Sequence, residues 1–499
     1  MNQKIHEWSQ KHKVAYGFII WGFISFAYLL FIANWGFTVG LGGKGVVDGT
    51  KHAGFLGYFN IVADNSFQFK NTAANWAITF GRGLGSVAVA FLLARLFHKW
   101  STFIAIAMCL VGIPAQFMPG SGGGYVGFVV LRTIMAIGGT MLIILTQPVV
   151  ANFFGPKQKA LISQFGIWFY PLGTIISIIP FVILGSNVES LQKNWQLVFT
   201  LLGALSLIPL VVIGVFGTKF DVVPAKIEGQ NAPKVAKRSG FAILGDYLKK
   251  KSTYAWILLY GGWLAIAVFP TALTHVIWPN MAGITDAAVL PQFQKIAKIW
   301  QVIFLAAVFV GPISIGLWSR FNLKRRWFVG AIITLAVIFF ILSTVVFVYG
   351  VAGGNGENAA IATLSDGKAS AGSKYYVSLV FLYIFGFLTG LCTWGIQGVM
   401  LNLPHEYADR DPKTIGWMFS LIWGFGYIFY TIVFIIISVV PLSGTLSKQT
   451  VGLIQTIIIV VTTLIALGGV ALLKEPRDDA KTFPWQKSPS MMEQKMEQK

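Results

Sequence analysis

Two arginines and a histidine sit where charge is costly. Arg82 lies in NWAITFGRGLGSVAVAFLLARLFHKW (Asn75–Trp100), a run apolar enough to cross a bilayer. It is about nine residues into its span, roughly 13 Å along a helix rising 1.5 Å per residue; a span covers about 30 Å. At that depth snorkelling to the headgroups is difficult, and leaving the charge in lipid costs at least about 2.5–3.5 kcal/mol. Arg82 therefore needs a wet cavity, backbone carbonyls or an anion. Two readings stand: a structural arginine at a close helix contact that the glycines of GRGLG permit, or a substrate contact. Arg132, in RTIMAIGGTM (Arg132–Met141) and nearer the external end, carries the same two readings. A pair of arginines could clamp a carboxylate or phosphate through bidentate hydrogen bonds, which lysine does less well.

His275, in FPTALTHVIWPNM (Phe269–Met281), is the histidine that falls within a span. It reads either as a neutral ring bonded to a carbonyl, or as a substrate contact or proton switch, a role that its reference pKa of about 6.5 suits. Pro270 and Pro279 flank it and predict a broken helix, whose freed backbone groups could serve a ligand or gate. Asn34, Gln147, Gln164 and Gln397 are amides at cavity depth, each a substrate contact or a plain inter-helix hydrogen bond. Tyr28, Trp168 and Trp394 could stack on a substrate.

These side chains need elements to hold them. The chain has 499 residues, of which 55% are hydrophobic and 11% charged; its mean hydropathy is +0.70. A soluble domain is nearer a quarter charged, so this is a multi-spanning membrane protein. Apolar stretches of about 20 residues fall near 14–38, 73–95, 101–119, 124–150, 160–185 and 196–217, then near 253–278, 297–319, 327–350, 375–402, 414–441 and 450–473. The expected fold is all-α and polytopic, with twelve transmembrane helices. The expected units are an N-terminal six-helix bundle over 1–217, a basic cytoplasmic linker over 218–252, a C-terminal bundle over 253–473, and a solvated, disordered cytoplasmic tail over 474–499. The N-terminus has no signal-peptide cleavage pattern and reads as a cytoplasmic tail before a retained first helix.

Charge placement tests the count. With both termini inside, the internal segments hold 27 Lys and Arg and the external loops 9, leaving Arg82 and Arg132 in the spans. That bias orients the chain in the cell membrane. It also accounts for the net charge of +20 without nucleic acid, anionic lipid headgroups being a secondary partner. All 18 Asp and Glu fall outside the spans, so Arg82 has no carboxylate partner within the membrane. There is no phosphate loop for ATP hydrolysis and no Cys/His cluster for a metal. Cys109 and Cys392 both lie in apolar stretches, and no soluble segment is long enough for a catalytic domain. The reading is a non-enzyme without a cofactor.

The halves match. LLARLFHKW (Leu92–Trp100) and GLWSRFNLKRRW (Gly316–Trp327) end the second and eighth spans alike, and the turns ANFFGPKQK and NLPHEYADRDPK both precede a helix with a glycine and an aromatic. Two six-helix units, a basic central loop and these turns resemble the major facilitator superfamily of secondary transporters. Arg95 and Lys99 match that family's second-to-third loop, but Ala94 stands where it has an acid; Gly316, Arg320, Lys324, Arg325 and Arg326 repeat the pattern, again without the acid. Arg132, Gly138 and Gly139 match its fourth-helix motif. GIWFYPLG (Gly166–Gly173) only faintly resembles the drug antiporters' motif. The resemblance implies two pseudo-symmetric bundles around a central cavity, alternating access, a cytoplasmic gate using Arg95, Lys99, Arg320 and Arg325, and a monomer. It puts the first, fourth, seventh and tenth helices on the cavity wall, with the second, fifth, eighth and eleventh at its sides. Nitrate porters of this family pair arginines in the second and eighth helices. Here the eighth offers Lys298 near its outer end, so nitrate specificity does not carry over.

The expected function is a secondary transporter of a small organic or inorganic anion, working as an exchanger or facilitator because no intramembrane carboxylate is there to titrate. Arg82, Arg132, His275, Gln147, Gln164, Gln397 and Asn34 are its expected substrate contacts. The competing expectation is a neutral solute such as a sugar or nucleoside, with the arginines structural.

Overall fold

The computed structural model describes residues 7–9, 11–64, 66–184, 187–218, 245–246, 248–284, 286, 289–318, 324–353, 373–407, 412–476 and 480. Most of the expected linker and tail lies outside these residues, as do Arg320 and part of the turn between the tenth and eleventh spans.

Among the described residues ten helices are long and apolar enough to cross a membrane. They are α1 (Lys13–Leu41), α2 (Phe67–Leu93), α3 (Arg95–Ala115), α4 (Gly122–Val150), α6 (Trp195–Phe216), α7 (Lys251–Met281), α9 (Arg325–Val351), α10 (Lys374–Leu401), α11 (Met418–Ser443) and α12 (Lys448–Leu472). Two more complete the twelve. α5 is Pro156–Leu184. α8 runs Leu290–Ala306, then a 3-10 turn at Ala307–Phe309, then Gly311–Trp318. Helices dominate because lipid offers backbone groups no partner, so each span must satisfy its own.

Local sequence sets the joints. Phe97, at φ 57°, kinks the chain in the first turn of α3, just past α2. Ser121 caps α4 by accepting from the Gly124 N–H, and Ser447 caps α12 by accepting from Thr450. α7 does not break at its prolines and stays helical to Met281. Helices in membranes keep proline when neighbours satisfy the freed groups. Pro270 lacks an N–H, so the carbonyl it frees is that of Ile266 one turn earlier; Thr274 Oγ1 and the Gln301 amide donate instead to the Pro270 carbonyl, at 2.6 and 3.1 Å, and tie α8 to α7 there.

The packing repeats between halves. α1 lies on α5 as α7 lies on α11, and α2 lies on α4 as α8 lies on α10. The halves meet along two seams, α2 against α11 and α5 against α8. The connection from α1 to α2 is folded down onto α4 and α6: Phe55 and Phe59 pack against Phe128 and Trp195. Asn60 Nδ2 donates to the Gly120 carbonyl at 2.6 Å, and a two-strand turn pairs Val46–Val47 with Thr50–Lys51. This cap holds Lys44 and His52 beside the opening of the central cavity.

Candidate functional site: a cationic cavity over a caged arginine

A cavity of about 560 Å³ lies between the halves. It runs from the exposed residues Lys44, Glu189 and Lys295 down to Trp35 and Tyr170. α1, α5, α7 and α8 form most of its wall, with Asn75 from α2 and Phe434 from α11. Among the described residues α4 and α10 contribute none to the lining, against the expectation that both would. The physical reason is that their polar and aromatic groups are engaged behind the wall. Arg132 of α4 is tied to α1, and Trp394 of α10 packs behind Tyr170, ring centroids 5.7 Å apart.

Among the described residues three lysines, Lys44, Lys295 and Lys298, line the cavity against one carboxylate, Glu189, which is bridged to Lys193 at 3.1 Å. Lys298 lies 5.2 Å from the Phe181 ring centroid. The apolar wall lowers the local dielectric, so this imbalance of charge attracts anions. Lower down the groups are uncharged: Asn75 accepts from Trp35 Nε1 at 3.2 Å, and His275 and Gln301 meet at 3.4 Å.

Arg82 is fully buried just beneath this floor. Its Nη2 donates to the Tyr28 hydroxyl at 3.1 Å. Its guanidinium carbon lies 4.5 Å from the Tyr427 ring centroid, 5.0 Å from Trp35, 5.6 Å from Tyr170 and 5.8 Å from Phe31. Its Nε and Nη1 have no hydrogen-bond partner among the described residues. The flanking glycines explain the placement. A Cβ at Gly81 would lie 2.6 Å from the Thr133 carbonyl of α4, and one at Gly83 would lie 3.0 Å from the Gly424 carbonyl of α11. Alternate glycines thus let α2 touch two helices, and Arg82 between them points into the gap bounded by α1, α5 and α11. Thr79 and Thr431 close the same seam with a 2.8 Å hydrogen bond between hydroxyls.

Arg132 is held differently. Its Nη1 donates to Asn34 Oδ1 at 2.9 Å, and its Nη2 donates to the Asn34 carbonyl at 3.0 Å and to Thr38 Oγ1 at 2.5 Å. Its guanidinium lies 4.4 Å from the Phe199 ring. Arg132 and Asn34 therefore engage each other, remote from the lining. The other amides are dispersed. Gln147 is exposed, with its amide 3.4 Å from Thr146 Oγ1. Gln397 is buried on α10, and its Oε1 has no partner among the described residues. Gln164 sits within α5, its side chain outside the description. Among the expected contacts whose side chains are described, His275 alone lines the cavity.

Of the gate candidates, Arg320 lies outside the described residues. Arg95 is exposed at the start of α3, and Lys99 lies 5.8 Å from the Trp100 ring. Arg325 is buried, its backbone N–H donating to Glu475 at 2.8 Å. Between Arg95 and Lys99, His98 is buried and its Nε2 donates to the Leu145 carbonyl of α4 at 2.8 Å. Sequence reading passed over Trp35, Asn75, Tyr170, Lys295 and Gln301. One signal was available: Gln294, Lys298 and Gln301 recur at i, i+4 and i+7, a polar stripe on an otherwise apolar helix.

Known proteins share this architecture. Residues 128–441 match the family described as Mycoplasma MFS transporter. An uncharacterized protein of Mesomycoplasma hyopneumoniae is 42% identical over 93% of this chain and 92% of its own. A major facilitator superfamily transporter of Mycoplasma pneumoniae is 23% identical over 91% and 92%. Among solved structures, a D-xylose-proton symporter overlays with a TM-score of 0.60 at 14% identity, covering 93% of this chain and 99% of that one, a likeness of fold. The chain belongs to the Mycoplasma family of major facilitator superfamily transporters, and is a multi-pass secondary transporter rather than an enzyme.

Proposed function

We propose that the substrate is a small anion, carried by alternating access as an exchanger or facilitator. The observation that supports this most is the charge of the cavity wall, three lysines against one already bridged carboxylate. Arg82 supports it further, because two of its nitrogens are unbonded beneath the floor and the charge has no acidic partner. The substrate first meets Lys44, Lys295 and Lys298. When Trp35 and Tyr170 move aside, its negative group reaches Arg82. Arg132 and Asn34 then serve as a structural tie of α4 to α1. With the lysine-rich segments cytoplasmic, the cavity opens to the outside in this conformation. Exchange or facilitation fits spans without carboxylates, since a titrating acid is the usual proton carrier.

A neutral sugar or nucleoside is the second reading. The aromatic floor of Trp35 and Tyr170 and the amides above it favour it, as does the likeness to a D-xylose-proton symporter. Thermal stabilisation of purified wild type beside Arg82→Gln separates the two, using carboxylates, phosphates, sugar phosphates, inorganic anions and neutral sugars. A ligand at 100 times its Kd stabilises the fold it binds by about 2.7 kcal/mol. Stabilisation of wild type alone by one anion class supports the anion reading. Stabilisation by neutral sugars only, or an equal response of both proteins, sinks it.

A further inference from the structure

We infer that Gln301 and His275 together form a hydroxyl-reading subsite, which makes the substrate a hydroxylated organic anion rather than an inorganic one. This rests on the anion reading above and adds the second half of the ligand. Both residues line the cavity, one on α8 and one on α7.

The hydrogen-bond directions follow from chemistry. The Pro270 carbonyl can only accept, so the Gln301 group facing it at 3.1 Å is the NH2 and not the oxygen. Thr274 donates its own proton to that carbonyl at 2.6 Å and therefore accepts from Gln301 Nε2 at 2.9 Å. His275 Nδ1 lies 3.4 Å from the same nitrogen. The amide has two protons for these three partners, so it shares one between Thr274 Oγ1 and the more distant Nδ1; a proton on Nδ1 would oppose that sharing, so Nδ1 is the acceptor and the ring proton sits on Nε2. The amide nitrogen is thus committed to the wall. Gln301 Oε1, which has no partner among the described residues, and the His275 Nε2–H are left to meet a solute.

One acceptor beside one donor is the complement of a hydroxyl or a vicinal diol, which presents both. Lys298 lies three residues before Gln301, on the same side of α8. A ligand that places its anionic group on Lys298 therefore brings an adjacent hydroxyl to this pair. An inorganic anion has no use for it, and a deoxy analogue displaces water from both groups without replacing its hydrogen bonds.

Matched ligands test this with the intact protein. Glycerol 3-phosphate is compared with propyl phosphate, and glycerate with propionate, by thermal stabilisation and by competition for uptake into proteoliposomes. In wild type the hydroxylated member is expected to bind at least about tenfold more tightly. In Gln301→Leu and in His275→Phe that preference should fall below about threefold, while affinity for propyl phosphate or propionate stays within about twofold. Nitrogen-15 spectra of histidine-labelled wild type, with the His275 signal identified by its loss in His275→Gln, should show Nε2 protonated. Equal binding of the matched pair, a preference that survives both substitutions, or an Nδ1-protonated ring overturns the subsite. Binding of neutral sugars alone overturns the anionic substrate and this proposal with it. Binding of plain and hydroxylated anions alike overturns the subsite and leaves the anion reading standing.

Discussion

Replacing Arg82 by methionine separates a substrate hook from a structural strut. In the structure its charge has one hydrogen bond, to Tyr28, and four ring contacts between 4.5 and 5.8 Å. Ring contacts contribute about 0.5–1 kcal/mol each, about 2–4 in all. Two buried nitrogens without partners cost about 1–3 kcal/mol each, about 2–6 in all. The two sides nearly cancel, so Arg82 adds little net stability to this conformation. Methionine fits a ring-lined site, since sulfur packs well against aromatics. Arg82→Met is therefore expected to change stability by no more than about 2 kcal/mol, with a melting temperature within about 4 °C of wild type. Flux is another matter. A hydrogen bond to a charged group contributes about 1.5–3 kcal/mol, so apparent affinity for the anion should fall about 10- to 150-fold. Anion exchange in proteoliposomes, normalised to folded protein, measures the second quantity, and detergent-solubilised melting the first. The reasoning is refuted by the reverse pattern: destabilisation beyond about 3 kcal/mol with flux per folded molecule unchanged.

Arg132→Leu should behave oppositely, losing about 3–5 kcal/mol because Asn34 Oδ1 is left without a donor and the Asn34 carbonyl and Thr38 hydroxyl, which still bond each other at 3.4 Å, lose their charged partner; thermal melting reads this, and flux of the folded fraction should hold. Joint replacement of Lys44, Lys295 and Lys298 by glutamine should slow anion uptake and flatten its decline between about 0.05 and 0.5 M salt, because the lysines act through a screened field; an unchanged salt profile would remove them from the entry route. Thr79→Cys with Thr431→Cys, in a background without Cys109 and Cys392, should cross-link under oxidation and arrest transport until reduced, since the parent hydroxyls are 2.8 Å apart across the seam. Gly83→Val should also impair transport, because its Cβ would press on Ile428 at 2.8 Å and hold α2 away from α11; a variant with normal flux would show that this seam need not close.

The twelve spans and their pairing into halves were readable from the residues alone. Lipid allows this because it forces each span to satisfy its own backbone, so a helix announces itself by local composition. What Arg82 touches was not readable. Tyr28, Trp35, Tyr170 and Tyr427 come from three other helices, and no spacing within one segment predicts that they converge. The two arginines looked equivalent as sequence, each a charge in an apolar run. Tertiary packing divided them, giving Arg132 a set of acceptors on α1 and Arg82 a cage of rings with nitrogens to spare. Pro270 likewise looked like a helix break, yet α7 runs through it to Met281, packed among its neighbours. Burial in lipid is a property of a segment and is written along the chain; the partner of a buried polar group depends on which segments meet, and only the folded molecule decides that.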